Sequence, residues 1–430
     1  MGHDNCKGCN EYRELDRRQF LGRSAGLAAL ALAPAWLPKV VFADSDSSTR
    51  DVIVSVFMRG GGDALTLVPP FGESAYYDLR PSLAVPPPDS SSPNRAIDLD
   101  GFFGFPKAMS SLMNAYDAGD LLVAHACGLD SGTRSHFEAM HFMEVGRGDP
   151  PASLFTGWLG RHLAATAPTT AGAALRAVGI GAGLQRSLVG APKTLPIQEL
   201  AGFGLEGRPG TRNQRQAALE EMYAAFTNPL KTSASDTFKA VDLLKQIGFN
   251  GYRPAGGANY PDTDYGNAFK STAALIKADV GVEAVAIDLD GWDTHDVQGP
   301  FAGFMAGLME EFAEGLAAFH RDLIGQGQRN VVVVAMSEFG RNARENGSAG
   351  TDHGTGGAMF VLGGNINGGQ VLADWPGLER EQLFESQDVK ITTDYRDLLS
   401  EILLKRGGNS NINQVFSDPS YQRRDYGIVR

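Results

Sequence analysis

Five short apolar runs, rich in valine and other β-branched residues, are separated by polar, glycine-containing segments. Runs of this length and composition predict buried strands. They are Asp51–Met58, Leu121–Ala124, Val282–Leu289, Asn330–Met336 and Met359–Leu362. Apolar residues also recur at helical spacing near Pro106–Ala118 and in Phe301–Leu323. The strand–helix–strand order predicts an α/β fold with a mostly parallel sheet and helices on both faces.

The segment 160–279 has a different pattern. Gln214–Phe226 and Ser235–Ile247 are helical in composition, and a passage rich in glycine, proline and tyrosine follows them. We interpret this segment as a helical and loop insertion over the sheet, within one domain that spans 44–430. Near the end of the chain, Thr393-Asp394-Tyr395-Arg396 precedes an apolar stretch, which is typical of a capped helix start.

The amino terminus carries the pattern of an export signal. Arg17 and Arg18 precede an apolar run, Leu27–Trp36, that is too short to cross a bilayer. Val41 and Ala43 supply the small residues that suit signal peptidase. We therefore predict that 1–43 is a twin-arginine signal peptide, recognised by the twin-arginine translocase, and that the mature protein is periplasmic or extracellular. Export in the folded state favours a cofactor acquired before export.

Composition excludes several classes of partner and site. The formal net charge is -12 and no cluster of five or more basic residues occurs, so nucleic acid is not an expected partner. Of the three cysteines, Cys6 and Cys9 lie in the predicted signal, and Cys127 alone cannot form a disulfide within the mature chain. No apolar stretch of about 18 residues follows Ala43, so no stable membrane span is expected after cleavage.

Polar, glycine-bearing loops follow most of the predicted strands. In open parallel sheets, ligands bind outside the carboxyl ends of the strands, so these loops should converge on one site. Asp63 follows the first strand and three consecutive glycines, which leave room for a metal ion beside the carboxylate and backbone. The alternative is that Asp63 is a solvated turn residue.

Ser135 stands where a helix is expected to begin, in Thr133-Arg134-Ser135-His136-Phe137-Glu138. Helix N-termini stabilise anions through unpaired N–H groups, so Ser135 is either a nucleophile or an ordinary helix cap. Arg134 either grips an oxyanion with two N–H groups or faces solvent.

Carboxylates and imidazoles also gather after the later strands. Asp288, Asp290, Asp293 and His295 stand within eight residues, Glu338 follows the fourth strand, and His353 stands beside Asp352 in a glycine-rich loop. Imidazole with carboxylate is a common ligand set for zinc or manganese, and a neighbouring carboxylate often orients the histidine. These residues predict a site for a divalent metal ion: zinc, manganese or calcium.

The order of these motifs resembles the alkaline phosphatase and sulfatase superfamily. More specifically, with the twin-arginine leader, it resembles the exported domain-of-unknown-function family 1501. The motifs are Val54–Asp63, Tyr76-Tyr77-Asp78-Leu79-Arg80-Pro81, Ser135-His136-Phe137-Glu138, Gly291-Trp292-Asp293-Thr294-His295, Ser337-Glu338-Phe339-Gly340-Arg341 and Thr393-Asp394-Tyr395-Arg396. The resemblance spans nearly the whole mature chain and implies an alkaline-phosphatase-like fold.

Carried over by position, the resemblance implies a nucleophile at Ser135 and a set of metal ligands. The ligands would be Asp63, Asp293, His295, Glu338 and His353. The chain departs from the superfamily at Glu338-Phe339, where Asp-His is usual, so a nitrogen ligand is lost unless Asp352 or another residue replaces it. Asp293 and His295 are also closer in sequence than the usual pair, which leaves Asp290 as an alternative ligand.

The expected function is therefore an exported metal-dependent hydrolase of small phosphate or sulfate esters. In this hypothesis Ser135 attacks phosphorus or sulfur, and Arg134 or Arg341 positions the anion. The alternative is a non-catalytic exported binding or scaffold protein, which keeps the fold with a degenerate metal site.

Overall fold

The computed structural model describes residues 50–200, 202–205 and 208–430. The predicted signal peptide, with Arg17 and Arg18, lies outside these residues. The strands are β1 Val52–Arg59, β2 Ile97–Asp98, β3 Gly104–Phe105, β4 Leu121–Gly128, β5 Ala177–Ile180, β6 Thr194–Ile197, β7 Ala284–Asp290, β8 Val331–Ser337, β9 Gly357–Gly363, β10 Gln370–Leu372 and β11 Thr393–Asp394. The helices are α1 Ala64–Leu67, α2 Ser74–Leu79, α3 Met113–Asp117, α4 His136–Val145, α5 Trp158–Ala165, α6 Arg212–Ala224, α7 Leu230–Ile247, α8 Asp264–Lys277, α9 Phe304–Asp322, α10 Tyr395–Lys405 and α11 Ile412–Val415.

A nine-stranded sheet organises the fold, in the order β10-β4-β9-β8-β1-β7-β5-β6 with β11 also paired to β4. Only β9 runs antiparallel to its neighbours, β4 and β8. The central strand β1 is parallel to both β7 and β8, with Arg59 opposite Asp290 and Met58 opposite Ser337. The loops that follow these three strands therefore begin side by side. The predicted mostly parallel α/β sheet is confirmed.

Alternating side chains of β1 enter two separate cores, one on each face of the sheet. Val54 and Val56 pack with helices α8 and α9. Ile53 and Phe57 pack on the other face, where α4, α5 and α10 cover the sheet. A parallel sheet covered on both faces has apolar side chains on both sides of each strand, which explains the continuous apolar runs in the sequence.

Helix α10 begins as its sequence predicts. The side chain of Asp394 accepts a hydrogen bond from the backbone N–H of Arg396 at 2.9 Å. This bond satisfies one of the N–H groups that have no partner in the first turn of a helix.

The segment 160–279 contains helices α6, α7 and α8, and it also supplies two strands to the sheet. β5 pairs in parallel with β7, and β6 extends the sheet beyond β5. Each of these strands has only four residues. Runs this short give no clear alternation or apolar block, so the sequence pattern did not reveal them.

No helix among the described residues is both long enough and apolar enough to cross a membrane.

Candidate metal centre

The candidate site is centred on Asp293, three residues beyond the end of β7. Nε2 of His295 lies 3.1 Å from Oδ1 of Asp293, and Nε2 of His353 lies 3.2 Å from the same oxygen. Nε2 of His136, the first residue of α4, lies 3.4 Å from it. Three imidazoles from three separate segments thus direct the same ring nitrogen at one carboxylate oxygen.

The chain can bring these segments together because glycine occupies the point of closest approach. Gly60, after β1, has φ +120°, a conformation that other residues rarely adopt. A side-chain Cβ at this position would lie 2.5 Å from the backbone nitrogen of Asp293. Any larger residue at position 60 would therefore displace the loop that carries Asp293 and His295.

Each imidazole is oriented through its other nitrogen by an oxygen acceptor. Nδ1 of His136 lies 2.7 Å from Oε1 of Glu338, and Nδ1 of His295 lies 3.1 Å from Oδ1 of Asp352. Nδ1 of His353 lies 2.8 Å from the backbone oxygen of Arg134. These acceptors favour a proton on Nδ1, so that in the neutral imidazole Nε2 carries the lone pair that faces the site, as in metal-binding histidines.

This arrangement fits a metal ion. His136 is buried, and its Nε2 has no hydrogen-bond partner among the described residues. Nε2 of His295 and Nε2 of His353 lie 2.9 Å apart, so their lone pairs repel unless a proton or a cation lies between them. Ligand atoms of His136, Asp293 and His353 all lie within 4.8 Å of one another. Tetrahedral zinc with bonds of about 2.0–2.1 Å has ligand atoms roughly 3.3 Å apart, which matches the separations from Oδ1 of Asp293.

The pKa values of His136 and Asp293 are shifted by attraction between the charged groups of the site. Burial would lower the pKa of His136, but the nearby carboxylates of Asp293 and Glu338 outweigh it and raise that pKa to about 9. Burial would raise the pKa of Asp293, yet the three histidines and Arg341 hold it well below its usual range. Asp293 is therefore a carboxylate at neutral pH, the form that binds metal ions.

Arg341 connects the loops that form this site. Its buried guanidinium donates to Oδ1 of Asp293 at 2.8 Å, to the backbone oxygen of Trp292 at 2.9 Å and to that of Thr351 at 2.9 Å. It also donates to the backbone oxygens of Gly60 and Gly61. Arg341 therefore joins the loops after β1 and β7 to the loop that carries His353, and its N–H groups are engaged within the protein.

Glu338 and Asp352 contact histidines of the site, so the structure gives them an orienting role in place of the predicted direct ligation. Oε1 of Glu338 also accepts a hydrogen bond from the backbone N–H of Gly60 at 2.8 Å. Asp352 also accepts from Asn346 at 3.1 Å. Asp290, the alternative ligand, is an exposed residue at the end of β7. It is not part of the group of possible metal ligands formed by described residues around Asp293.

Asp63 is held by a different set of partners. Its two oxygens accept from the buried guanidinium of Arg80, at 2.5 and 2.9 Å. Gln298 and Thr66 each donate to Oδ2 at 2.7 Å. Within the described chain Asp63 contacts no histidine of the cluster, so it is not placed as the metal ligand that the resemblance implied, nor as a solvated turn residue.

Ser135 and Arg134 adjoin the site through the backbone. Ser135 is the N-cap residue of α4, as predicted, but its side chain makes no capping hydrogen bond. It is exposed, and its hydroxyl has no hydrogen bond to the described protein. The guanidinium of Arg134 is paired with Asp388 and Glu385, each at 2.7 Å, so an anion would have to compete with these carboxylates for it.

His136 is the site residue that sequence reasoning missed. It lies in the motif Ser135-His136-Phe137-Glu138, whose predicted functional residue is the neighbouring serine. The sequence did contain an indication of its role. His136 is at a predicted helix start that follows a strand, and ligands bind at this edge of a parallel sheet.

Comparison with known proteins places the chain in a family. A family model described as a protein of unknown function, DUF1501, matches residues 50–412. The chain belongs to this family. Among curated proteins, none matches the chain.

Solved structures similar to the chain include proteins whose names refer to hydrolysis or to zinc. The PsFucS1 sulfatase from Pseudoalteromonas sp. is 13% identical with a TM-score of 0.37, covering 89% of this chain and 73% of that chain. The phosphonate monoester hydrolase of Agrobacterium radiobacter is 10% identical with a TM-score of 0.31, covering 87% and 79%. The C-terminal periplasmic domain of EcEptC from Escherichia coli, in complex with zinc, is 10% identical with a TM-score of 0.28, covering 76% of each. These likenesses are distant.

Proposed function

We propose that this protein is an exported, metal-dependent hydrolase of phosphate or sulfate esters with Ser135 as its nucleophile. The observation that carries the proposal is the convergence of three imidazole Nε2 atoms on Oδ1 of Asp293, each imidazole oriented through Nδ1. Export through the twin-arginine translocase and the absence of a nucleic-acid partner stay predictions from the sequence.

The ligands proposed for the metal ion are His136, Asp293 and His353, and His295 contacts two of these three residues. A divalent ion there would lower the pKa of a neighbouring hydroxyl and neutralise charge that develops on the ester. His136 and Ser135 are consecutive, so the exposed hydroxyl belongs to the residue next to a proposed ligand.

In the proposed reaction, the oxygen of Ser135 forms a bond to phosphorus or sulfur. The bond from that atom to the ester oxygen breaks, and the departing alcohol takes up the proton that the serine loses. Water then cleaves the serine ester, which restores the hydroxyl and releases phosphate or sulfate. Unpaired N–H groups at the start of α4 would stabilise the anion during both steps.

Replacement of Ser135 by alanine tests this assignment. We expect Ser135→Ala to keep the metal content of the unaltered protein and to lose turnover of 4-nitrophenyl phosphate and 4-nitrophenyl sulfate by about a thousandfold or more. Ser131→Ala, in the same loop, is the matched control and should keep both properties. Equal turnover in Ser135→Ala and the unaltered protein would exclude Ser135 as the nucleophile.

A second candidate function, a non-catalytic binding protein, is favoured by one observation. Arg134 and Arg341, the two cations proposed to position an anion, are engaged by protein oxygens. A binding protein of this kind would take up metal and retain anionic esters without converting them. Metal-dependent turnover of either nitrophenyl ester would exclude it.

A further inference from the structure

The charges around the candidate metal centre are almost fully paired within the protein. Arg134 faces two carboxylates, and the guanidinium of Arg341 is buried among backbone oxygens and Asp293. Arg59, at the end of β1, pairs with Asp288 at 2.8 Å and with Glu144 at 3.4 Å. Each of these guanidiniums is already paired with carboxylates of the protein, so a second negative charge on a substrate would have to compete with them.

The carboxylates of the site also limit the charge that a metal ion contributes. Asp293 contacts the three histidines, while Glu338 and Asp352 each contact one. A divalent ion together with Arg341 balances these three carboxylates and leaves no positive excess. A phosphate monoester, which carries two negative charges above about pH 7, would be desolvated here without compensation. An ester with one negative charge avoids most of that cost.

Exposed apolar side chains flank the segments that carry the ligands. Phe137, next to His136, is 48% exposed. Val297, two residues after His295, is 75% exposed, and Phe304, at the start of α9, is 62% exposed. The ring of Phe304 approaches Gly291, so the loop that contains Asp293 and His295 begins and ends at this contact. An apolar group on a bound ester would cover such side chains and remove them from water.

Val297 has an unusual backbone as well as unusual exposure. Its φ is +43°, in the left-handed region that β-branched residues rarely adopt. The backbone N–H of Val297 donates to the oxygen of Ser348 at 2.9 Å, which holds this conformation. Strained and exposed residues of this kind cluster at ligand sites, which supports contact between Val297 and a bound molecule.

We propose that the substrates are esters with a single negative charge and an apolar substituent: phosphodiesters or sulfate monoesters, rather than phosphate monoesters. This inference rests on the proposed hydrolase function. Because the arginines near the site are paired with carboxylates, the site disfavours a substrate with a second negative charge. The side chains of Phe137, Val297 and Phe304 contact the apolar substituent.

The first test compares three esters with a shared leaving group on the metal-loaded mature protein at about pH 8. They are 4-nitrophenyl phosphate, methyl 4-nitrophenyl phosphate and 4-nitrophenyl sulfate. We expect kcat/KM for at least one of the singly charged esters to exceed that for the phosphate monoester by about tenfold or more. A preference for the phosphate monoester would overturn the inference and leave the hydrolase proposal intact. Turnover of none of the three would overturn the hydrolase proposal itself.

Two variant pairs test the parts of the inference separately. Glu385→Gln removes one of the carboxylates that neutralise Arg134, so the kcat/KM of the phosphate monoester relative to the methyl diester should rise severalfold. Glu381→Gln, also exposed, should leave this ratio unchanged. A fourth ester, octyl 4-nitrophenyl phosphate, tests the apolar contact: Phe137→Ser should lower its kcat/KM relative to that of the methyl diester, whereas Phe155→Ser should not. An unchanged ratio in Glu385→Gln or in Phe137→Ser would contradict the corresponding part of the inference.

Discussion

Nδ1 of His136 lies 2.7 Å from Oε1 of Glu338, and this contact determines which nitrogen of His136 faces Asp293. The carboxylate holds a proton on Nδ1, so Nε2 is left to bind a metal ion. Glu338 also accepts a hydrogen bond from the backbone N–H of Gly60, so the same side chain connects the loop after β1 to α4. Glu338, predicted as a direct metal ligand, thus contacts the imidazole of His136 in the candidate site.

His136 should be required for metal binding. We expect His136→Ala to lose most of the bound metal, because the remaining ligand atoms of Asp293 and His353 form an incomplete set. His141→Ala is the matched control, since His141 lies in the same helix and outside the cluster. Metal content measured by mass spectrometry on the folded variants compares them, and full retention in His136→Ala would contradict the ligand assignment.

Glu338 should affect metal affinity without being a ligand. We expect Glu338→Gln to fold and to bind metal about 10–100-fold more weakly, because the amide holds the Nδ1 proton of His136 less strongly. Titration against a competing chelator measures the dissociation constant. Glu310→Gln, on the exposed face of α9, is the control, and an affinity of Glu338→Gln equal to the control's would mean that Glu338 does not orient His136.

Metal binding should release protons at neutral pH. The pKa of His136 without metal is raised to about 9, so this imidazole is protonated at pH 7 and must lose its proton to bind an ion. We therefore expect the apparent affinity to rise with pH up to about pH 9. Calorimetric titration in buffers of different ionisation enthalpy counts the protons released. No release at pH 7, or an affinity that falls between pH 6 and pH 8, would contradict this prediction.

Asp63 should stabilise the fold without contributing to metal binding. Removing its charge leaves the buried Arg80 without its partner, so we expect Asp63→Asn to lose about 3–5 kcal/mol of unfolding free energy and to keep its metal. Burial raises the pKa of Asp63, but Arg80 outweighs it and holds the folded-state pKa below 3.8. The contribution of the pair is therefore present above about pH 4 and is lost as the pH falls through the folded-state value.

Urea unfolding of Asp63→Asn and the unaltered protein at pH 7 and at pH 3 measures both effects. The difference in unfolding free energy should be smaller at pH 3. If a folded Asp63→Asn variant lost its metal, this result would instead support the assignment of Asp63 as a metal ligand.

The sequence predicted the strands better than it predicted the roles of the polar residues. The apolar runs became β1, β4, β7, β8 and β9 because strands buried on both faces are continuously apolar. Glycine-rich loops after these strands correctly pointed to one edge of the sheet. The four-residue strands β5 and β6 were too short to show a period.

The roles of individual side chains depend on distances that no sequence pattern contains. Asp293 and His353 were predicted as ligands because carboxylate and imidazole stand beside glycines in loops, and the structure places both in the candidate site. Asp63 has the same sequence context, yet its oxygens are held by Arg80, 17 positions away along the chain. His136 contacts Glu338, which is 202 positions away along the chain, so its sequence neighbours do not reveal this contact.

The most direct test of the metal centre is elemental analysis of the folded, signal-processed protein beside His295→Ala and His353→Ala. We predict one divalent ion per chain in the unaltered protein. His353→Ala should contain no metal, and His295→Ala should contain less metal or none. A folded protein that contains no metal, and takes up none from zinc or manganese at neutral pH, would contradict this prediction.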